Sequence, residues 1–460
     1  MGPTLVYPPL AENHPHLLKS FPAEATSTTN EPGWTTPKPI TPQASAQVPY
    51  PLHQSITEEP TQPDIEWDPS LETYLARVER LAKLGETLPQ TVPEGFPTVI
   101  QSARAWDGAD FAGNESAYVY TLTDDDVEEV DQALAIFIKQ SNGNPDPEMI
   151  TPETFLLPNL GKKLIELAEI IHNGQGFYVI RALDPDYFDS SLEKILAYVG
   201  ITSYLGETKA CQDAGGSRLL HIKDRGMAFP GAEMRQAPYS NVGQPFHTDA
   251  CDLLIMYVNN LAHSGGKFQL ASSAQIYNSI ASARPDVIHT LSSDTWIFDK
   301  FTPHLQPPYE IRPILLPFGE KQKHGPSFFY SRRPLTGSPV APRTTGIPAM
   351  TERQAEALDM VHFTAVGCQL KFEARRGDVV CVNNLAVMHA REGFTDFDDK
   401  RHIIRLWLRN KRLEWPKPEI IRPVLDLKYD TRSEWCKRPV WHLDPPTVPE
   451  RLLARRFTCS

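Results

Sequence analysis

The sequence predicts a mainly β fold, a sandwich or jelly-roll barrel decorated by helices, with a helical section ahead of it. Two observations carry this prediction. From about residue 176 onward, short apolar runs alternate with Gly and Pro turns, which is typical of packed antiparallel sheets. Between about residues 64 and 175, apolar side chains recur at helical spacing instead. With 460 residues, the chain is long enough to bury a large core.

The first 62 residues have the composition of an extended arm. Thirteen of the 43 prolines precede residue 64, alongside many Ser, Thr and Gln residues. Such a segment cannot bury enough apolar surface to offset the entropy that ordering removes. We therefore expect three parts: a Pro-rich arm over residues 1–62, extended or disordered; a helical extension over 63–175, packed on the core; and a β domain with a C-terminal extension over 176–460.

Helical periodicity marks four segments, which lie at about 71–84, 127–138, 160–171 and 187–199. Asp124, Asp125 and Asp126 precede the second of these helices, where the positive end of the helix dipole favours acidic side chains. Asn173-Gly174 closes the third helix.

Strands are expected throughout the β domain. They lie at about 176–183, 253–259, 267–271, 328–331, 369–374, 379–382 and 401–409. Two helices interrupt them, near 273–283 and 351–361. A double sheet is a sound base for a functional site, because rigid strands bring residues that are far apart in sequence to one place.

Charge and composition argue against several classes of partner. The net charge of −12 disfavours a nucleic acid, because phosphate-binding surfaces are basic. No stretch reaches about 18 apolar residues, so no membrane span is expected, and the N-terminus lacks the pattern of a signal peptide. The six cysteines have no CxxC spacing, which favours free thiols in a reducing compartment. We expect a cytoplasmic protein, and a homo-oligomer is compatible with this sequence.

The most informative motif is His247-Thr248-Asp249, taken together with the distant His389. Side chains two residues apart on a strand point the same way, so His247 and Asp249 can reach one metal ion. Two histidines and one carboxylate suit non-haem Fe(II) and leave three coordination positions open. His389 lies in an extended segment that follows a turn, a short strand and a bend. The pattern predicts a metal site made by these three residues.

Two arginines follow the last histidine on a predicted strand. Arg401 and Arg405 differ by four positions, so they share a strand face with Ile403 and Trp407. At about 3.3 Å per residue their Cα atoms lie about 13 Å apart, which is too wide for one small carboxylate. The spacing suits two anionic groups on opposite sides of a metal, because arginine binds carboxylates bidentately and stays charged.

Residues from about 176 to 409, roughly half of the chain, resemble the taurine and dichlorophenoxyacetate dioxygenases, the TauD/TfdA group. Members of this group are Fe(II)- and 2-oxoglutarate-dependent enzymes built on a double-stranded β-helix. The helical section and the arm look more like the extended fungal branch, several of whose members work in natural-product pathways. Five pieces match in order: Gly176-Phe177 with Arg181, His247-x-Asp249, Gly265-Gly266, Gly377-Asp378 through Asn384 to His389, and Arg401-x-x-x-Arg405.

The resemblance implies roles for five residues. His247, Asp249 and His389 are the expected iron ligands, and Arg401 is expected to pair with the distal carboxylate of 2-oxoglutarate. Arg405 falls where some members anchor an acidic substrate. The resemblance therefore implies Fe(II), 2-oxoglutarate and O2 as cofactors, with a small acid or amino acid as substrate.

The sequence departs from the family just after the paired glycines. Members such as the taurine enzyme carry there a Thr that helps to hold 2-oxoglutarate, whereas this chain has Phe268. Ser272 or Ser273 is a candidate replacement, of which Ser272 is the one expected here. Phe268 then becomes a candidate substrate contact.

The implied reaction removes hydrogen from an aliphatic C–H bond and releases succinate and CO2. Hydroxylation, desaturation and ring closure, including C–N closure in a biosynthetic pathway, are open outcomes.

Two other classes of function also stay open. A zinc hydrolase could use the same three ligands, although no HExxH motif occurs and hydrolysis leaves the arginine pair unexplained. A non-catalytic barrel could bind a small acid, but it has no need of three metal ligands.

Overall fold

The computed structural model describes residues 62–226, 237–301, 306–318 and 324–445. The chain divides into two compact units, Met1–Thr61 and Gln62–Ser460, and every described residue belongs to the second. The expected Pro-rich arm lies outside the described residues apart from Gln62. The three-part division at residues 62 and 175 stays a prediction.

The described part of the chain forms nine α-helices and seventeen β-strands. The helices are α1 (Leu71–Ala82), α2 (Asp124–Gln140), α3 (Leu160–Asn173), α4 (Ser191–Ser203), α5 (Ser273–Ala283), α6 (Pro285–Ser292), α7 (Arg333–Thr336), α8 (Glu352–Gly367) and α9 (Arg422–Asp426). The strands are β1 (Val119–Thr121), β2 (Phe177–Arg181), β3 (Thr208–Lys209), β4 (Leu219–Ile222), β5 (Gln244–His247), β6 (Leu253–Asn260), β7 (Ser264–Gly265), β8 (Phe268–Ser272), β9 (Ile297–Asp299), β10 (Tyr309–Ile311), β11 (Leu315–Phe318), β12 (Gly325–Phe328), β13 (Leu370–Phe372), β14 (Val379–Asn383), β15 (Val387–Arg391), β16 (Phe394–Thr395) and β17 (His402–Arg409).

Side-chain caps fix where several helices begin. Thr123 begins α2 with a capping box, because its hydroxyl accepts from the Asp126 N–H while the Asp126 carboxylate accepts from the Thr123 N–H. Thr351 begins α8 in the same way. Ser190 caps α4, which therefore starts a few residues later than the sequence suggested. No helix in the described ranges is both long and apolar enough to cross a membrane.

Two sheets form the centre of the fold. The larger has the strand order β1-β2-β14-β6-β17-β3, with β4 also paired to β17, and the smaller has the order β13-β8-β15-β5. Apart from the parallel pair β1–β2, neighbouring strands in both sheets are antiparallel. Within the described residues no strand pair joins the two sheets, so they form a sandwich and not a closed barrel.

The core lies between the two sheets. On β6, Leu254 and Met256 share one buried cluster with Leu270 of β8. Because side chains alternate along a strand, Ile255 and Tyr257 face the other way, into a second cluster with α2, α3 and α4. The larger sheet therefore has helices on one face and the smaller sheet on the other. This arrangement confirms the expected mainly β fold with a jelly-roll core and helical decoration.

A second group of helices covers the smaller sheet. Helix α8 packs on β5 and β8 and also against α1, α5 and α6. Tyr74 of α1 stacks on Phe363 of α8, with ring centroids 5.2 Å apart. Arg77 of α1 is buried and pairs with Asp359 of α8 at 2.7 Å. Helix α8 therefore packs directly on β5, and α1, α5 and α6 pack around α8.

Several elements differ from the expectation. The strand expected at 328–331 is β12, which ends at Phe328, because the chain then turns into α7 with Arg332 as its N-cap. The helix expected to end near 361 continues to Gly367. Helix α6 was not expected. Pro285 begins it at the first helical position, where the missing N–H costs nothing because an N–H there has no acceptor within the helix.

A buried ion pair links β2 to the turn before β14. Arg181 Nε and Nη2 donate to the two carboxylate oxygens of Asp378 at 2.9 and 3.0 Å. The preceding Gly377 has a φ of +84°, and a Cβ there would lie 2.8 Å from the Leu183 carbonyl oxygen, so only glycine fits this turn. The pair therefore anchors the strand that leads toward His389.

Candidate active site

The structure brings the three expected ligand residues together. His247 ends β5, His389 lies in β15, and the two are directly paired across these antiparallel strands. Asp249 lies two residues beyond the end of β5. One ligand atom of each residue lies within 4.8 Å of the others, and all three residues are buried. Within the described ranges no other group of His, Cys, Asp or Glu has this geometry.

The hydrogen bonds of His247 fix which of its nitrogens faces the site. Nδ1 lies 3.0 Å from the carbonyl of Pro245, which can only accept, so Nδ1 carries the hydrogen. Nε2 then has the lone pair and lies 3.7 Å from Asp249 Oδ1. The side-chain amide of Gln244 contacts this Nε2 at 3.0 Å. His247 is therefore oriented for coordination through Nε2.

Asn384 holds the backbone around Asp249. The Asp249 N–H donates to Asn384 Oδ1 at 2.7 Å, and Asn384 Nδ2 donates to the carbonyls of Asp249 and Cys251 at 2.6 and 2.9 Å. The bend that the sequence predicted before His389 thus positions a ligand residue from a distant part of the chain.

The two oxygens of the Asp249 carboxylate have different surroundings. Oδ2 accepts from Arg405 Nη1 at 2.7 Å and from Trp407 Nε1 at 3.2 Å. Oδ1 faces His247, is buried, and has no hydrogen-bond partner among the described residues. A buried carboxylate oxygen without a partner is unfavourable, and a cation bound by Oδ1 and the two imidazoles satisfies it. The donor set fits a metal ion.

The protonation states are those that a metal requires. Burial lowers the pKa of His247, and it lowers the pKa of His389 well below the usual range, so both imidazoles are neutral. Burial on its own raises the pKa of Asp249, but the charge of Arg405, helped by the hydrogen bond from Trp407, holds this pKa below its usual value. Neutral imidazoles and an ionised carboxylate are the forms that coordinate Fe(II).

An inner cavity lies beside the three ligands. Its lining includes both histidines together with Met256, Phe268, Arg391, Arg401 and Arg405. Three guanidinium groups beside apolar walls fit an anionic molecule with a short carbon chain.

Arg401 immediately precedes β17 and reaches into this cavity. Its guanidinium lies 5.7 Å from the ring centroid of Phe268 and 5.3 Å from that of Phe394. Its Nη1 is buried and has no hydrogen-bond partner in the described ranges. Burial, and after it the charge of Arg391, lowers the pKa of Arg401 to about 9. Gly266 permits this placement, because a Cβ there would lie 3.1 Å from Arg401 Nε and its φ is +74°.

Arg405 lines the same cavity, on the strand face that the sequence predicted. Its Nε donates to Gln212 Oε1 at 2.7 Å, and its Nη1 donates to Asp249. Gln212 Nε2 donates in return to the carbonyls of Arg405 and Arg218, both at 2.8 Å. The sequence did not single out Gln212, since no local pattern marks a residue that acts only through a distant side chain.

The structure brings Phe268 into the inner cavity but not Ser272. Phe268 stacks on Phe372 with ring centroids 5.6 Å apart. The Ser272 hydroxyl instead accepts from the Gln275 N–H at 3.0 Å as the N-cap of α5, and it donates to the carbonyl of Arg104. Ser273 does not line the inner cavity either.

An outer cavity adjoins the inner one. Gln244 and His247 line both cavities, so both open onto one of the three expected ligand residues. The outer walls are mostly apolar, with Trp67 and Pro339 among them, and they also carry Ser331 and the buried Arg332.

The sequence matches a known family over more than half of its length. The family model described as "Taurine catabolism dioxygenase TauD, TfdA family" matches residues 142–407. Taurine hydroxylase-like protein SAT17 of Stachybotrys chartarum is 36% identical over 354 residues, which cover 74% of this chain and 89% of that protein. FR-33289 synthase of Streptomyces rubellomurinus is 22% identical over 263 residues, which cover 55% of this chain and 74% of that protein.

Solved structures give a weaker likeness. An asparagine oxygenase in complex with Fe(II), 3-hydroxyasparagine and succinate is similar with a TM-score of 0.49 and 16% identity, over 64% of this chain and 95% of that one. The non-haem iron oxygenase OrfP in complex with iron, succinate and (3S)-hydroxy-L-arginine has a TM-score of 0.46 and 15% identity, over 64% and 94%.

The family assignment rests on the sequence matches. They confirm the predicted enzyme class, a non-haem iron dioxygenase with Fe(II), 2-oxoglutarate and O2 as cofactors, for which the site offers a matching donor set. The chain belongs to the TauD/TfdA family of dioxygenases.

Proposed function

We propose that the chain oxidises an aliphatic C–H bond of a small carboxylate or amino-acid substrate, with Fe(II), 2-oxoglutarate and O2. The observation that carries this proposal is the environment of Asp249 Oδ1, which is buried, lacks a hydrogen-bond partner among the described residues, and belongs to the same cluster as the imidazoles of His247 and His389. Family membership supports the same reaction class.

In this proposal His247, Asp249 and His389 hold the iron, and Arg401 holds the distal carboxylate of 2-oxoglutarate. When bound, the iron with 2-oxoglutarate and O2 supplies the oxidant that removes hydrogen from the substrate, and succinate and CO2 are released. The protein itself orients the substrate and 2-oxoglutarate and encloses them. Phe268 and Met256 give the inner cavity apolar walls, which strengthen the attraction between Arg401 and a carboxylate.

Arg405 stays a proposed contact for an acidic group of the substrate. Its position in the inner cavity supports that role. Its ion pair with Asp249 Oδ2 supports a second role, because fixing Oδ2 directs Oδ1 toward the metal. Phe268, as part of the cavity wall, stays a proposed apolar contact.

The outer cavity supports an acidic substrate through a second arginine. Arg332 is buried, and its Nη2 donates to Asp359 Oδ1 at 2.8 Å, while Asp359 Oδ2 accepts from Arg77 at 2.7 Å. Arg77 also pairs with Glu352, at 3.0 Å. Nε and Nη1 of Arg332 are buried and have no hydrogen-bond partner in the described ranges. These two donors favour an acceptor such as a carboxylate in the outer cavity, which Arg332 lines.

The names of two relatives bear on the substrate and on the setting of the proposed reaction. The relative from Stachybotrys is called taurine hydroxylase-like, and taurine is a small amino acid with an acidic sulfonate. The relative from Streptomyces is named as the synthase of a specific compound. Hydroxylation, desaturation and C–N ring closure all stay within the proposal, because each begins with removal of hydrogen.

The test is succinate release from 2-oxoglutarate with Fe(II) across a panel of amino acids and small acids, each paired with its neutral amide. We expect stimulation by the acid of a pair and not by the amide, and we expect Arg405→Ala and Arg332→Gln to raise the KM for that acid. If no carboxylate stimulates turnover and Arg405→Ala behaves like the wild type, the acidic-substrate proposal is wrong. Activity with Zn(II) and none with Fe(II) would instead indicate a hydrolase.

We also propose a cytoplasmic location. The five described cysteines are free thiols, which is the usual state in a reducing compartment.

The helical extension over 63–175 is proposed to fold together with the β domain, because α1 packs on α8 and α3 packs on β2 and β14.

A further inference from the structure

Arg391 is a second buried cation in the inner cavity, beside Arg401. It lies on β15 two residues after His389, and side chains two apart on a strand share a face. In the register between β15 and β8, Arg391 lies directly opposite Phe268, the position at which Thr was expected. Arg391 and Phe268 both line the cavity that holds Arg401.

Arg391 makes no ion pair in the described part of the chain. Its Nη2 donates to the carbonyls of Ala237, Ser240 and Val242, while its Nε is buried without a hydrogen-bond partner among the described residues. Three carbonyls satisfy one nitrogen, and the charges of Asp224 and Asp396 act on the group only from beyond ion-pair distance.

Arg401 has the same deficit. Neither guanidinium has a carboxylate within ion-pair distance in the described ranges, and both lie against the ring of Phe394, at 5.1 Å for Arg391 and 5.3 Å for Arg401. The two groups are close enough that the charge of Arg391 lowers the pKa of Arg401. The carboxylate of Asp396 attracts both groups but forms an ion pair with neither. Two buried guanidinium groups without a paired carboxylate are unfavourable, so an anion that bridges them stabilises the cavity.

A carboxylate has two oxygens and can accept from two donors at once. In family members with a Thr after the paired glycines, the second donor is a hydroxyl, which Phe268 cannot supply. The guanidinium that faces Phe268 across the strand pair is in place to supply it.

We propose that Arg391 is the second binding residue for the distal carboxylate of 2-oxoglutarate and takes the place of the missing Thr. This inference rests on the proposed function, since it assigns one end of the proposed cosubstrate. It also replaces Ser272 as the expected partner of Arg401.

The test compares two oxo acids that differ only at the distal end. Anaerobic Fe(II) enzyme is titrated with 2-oxoglutarate and with 2-oxopentanoate, which has a methyl group in place of the distal carboxylate, and binding is followed by the visible absorption band and by calorimetry. We expect Arg391→Gln to weaken 2-oxoglutarate binding by about 10–100-fold, as for loss of a charged hydrogen bond. We expect no change beyond about twofold for 2-oxopentanoate. Arg391→Lys keeps the charge and is expected to lose less affinity than Arg391→Gln.

A purely structural role predicts a different result. Arg391 also ties the segment from 237 to 242 to β15, so loss of that tie would weaken both oxo acids equally, and this result would overturn the inference. Unchanged affinity for 2-oxoglutarate in both variants would overturn it as well. Arg412→Gln, which removes an exposed arginine paired with Glu169, is the matched control and should bind like the wild type. If the wild type itself binds neither oxo acid, the proposed function fails and the inference fails with it.

Discussion

His247 and His389 face each other directly across β5 and β15, with ring centroids 4.1 Å apart and planes inclined at 48°. The register of this strand pair shifts just beyond them, so that Arg391 lies opposite Gln244. Local irregularities of this kind re-aim side chains at functional sites. One strand pairing thus places two of the proposed metal ligands together, and the chain leaving β5 adds the third, Asp249.

Arg401 gives the first prediction. Its guanidinium is buried beside Phe268 and has an Nη1 without a partner among the described residues. In the proposed role, replacing Arg401 removes a charged hydrogen bond to 2-oxoglutarate. Arg401→Ala should raise the Kd for 2-oxoglutarate by about 10–100-fold, with little change in Fe(II) affinity. Anaerobic titration of each component measures both values. A variant that binds 2-oxoglutarate as tightly as the wild type would contradict the assigned role.

Gln212 gives the second prediction. It holds Arg405 Nε, and Arg405 in turn holds Asp249 Oδ2. Gln212→Ala should loosen this chain of contacts and weaken Fe(II) binding by about tenfold, within the range seen when outer contacts of a metal ligand are removed. Arg412→Gln, which removes an exposed arginine paired with Glu169, is the control and should bind Fe(II) like the wild type. Equal Fe(II) affinity in the wild type and in Gln212→Ala would show that Arg405 needs no such support.

The ion pair of Arg181 and Asp378 gives the third prediction. Asp378 is buried, so Asp378→Ala leaves a buried guanidinium with fewer partners. We expect a loss of about 3 kcal/mol in the free energy of unfolding, at the lower end of the usual range because Glu115 still pairs with Arg181. Urea denaturation measures this loss. Asp186→Ala removes an exposed carboxylate that also pairs with an arginine, and it should change stability little. Equal effects of the two substitutions would contradict the prediction.

His402 gives a prediction about pH. Burial, followed by the charges of His221, Lys223 and other nearby cations, lowers its pKa in the folded state from 6.5 to about 2. The unfolded chain therefore takes up a proton below about pH 6.5 that the folded chain does not, and stability falls as the pH falls from there toward 2. The loss attributable to this side chain is about 2 kcal/mol between pH 7 and pH 5.

Denaturation of the wild type and His402→Asn at these two pH values isolates that loss. The variant should lose less stability than the wild type on acidification. Identical pH dependence in the wild type and in His402→Asn would refute the assignment to His402.

Two of the three expected metal ligands, His247 and Asp249, were predictable from their local spacing, because residues two apart on a strand share one face. His389 lies far away in the sequence and was assigned through the resemblance to the family. The same rule placed Arg401 and Arg405 on one face, and both line the inner cavity. Applied to His389, it also marks Arg391, a residue that no motif singled out.

Contacts that depend on distant pairing could not be predicted. Gln212 reaches Arg405 only because β3 pairs with β17, and Asn384 reaches Asp249 only because β14 pairs with β6. Ser272 shows the opposite case, in which a local signal was overlooked. Ser272 is followed three residues later by Gln275, a spacing typical of a helix N-cap, and capping α5 is what its hydroxyl does. Strands of two or three residues, such as β7 and β9, have too short a pattern to be recognised.

Binding of iron and 2-oxoglutarate at the site of His247, Asp249 and His389 is measured by anaerobic titration of the purified protein with Fe(II) and then 2-oxoglutarate, followed by visible absorption and metal analysis. We expect one Fe(II) per chain and a weak visible band that appears only when both are present, and we expect Asp249→Ala to lose both while Arg412→Gln keeps both. A wild-type protein that binds Fe(II) no better than Asp249→Ala, or that shows no band with 2-oxoglutarate, would contradict the assignment of this site.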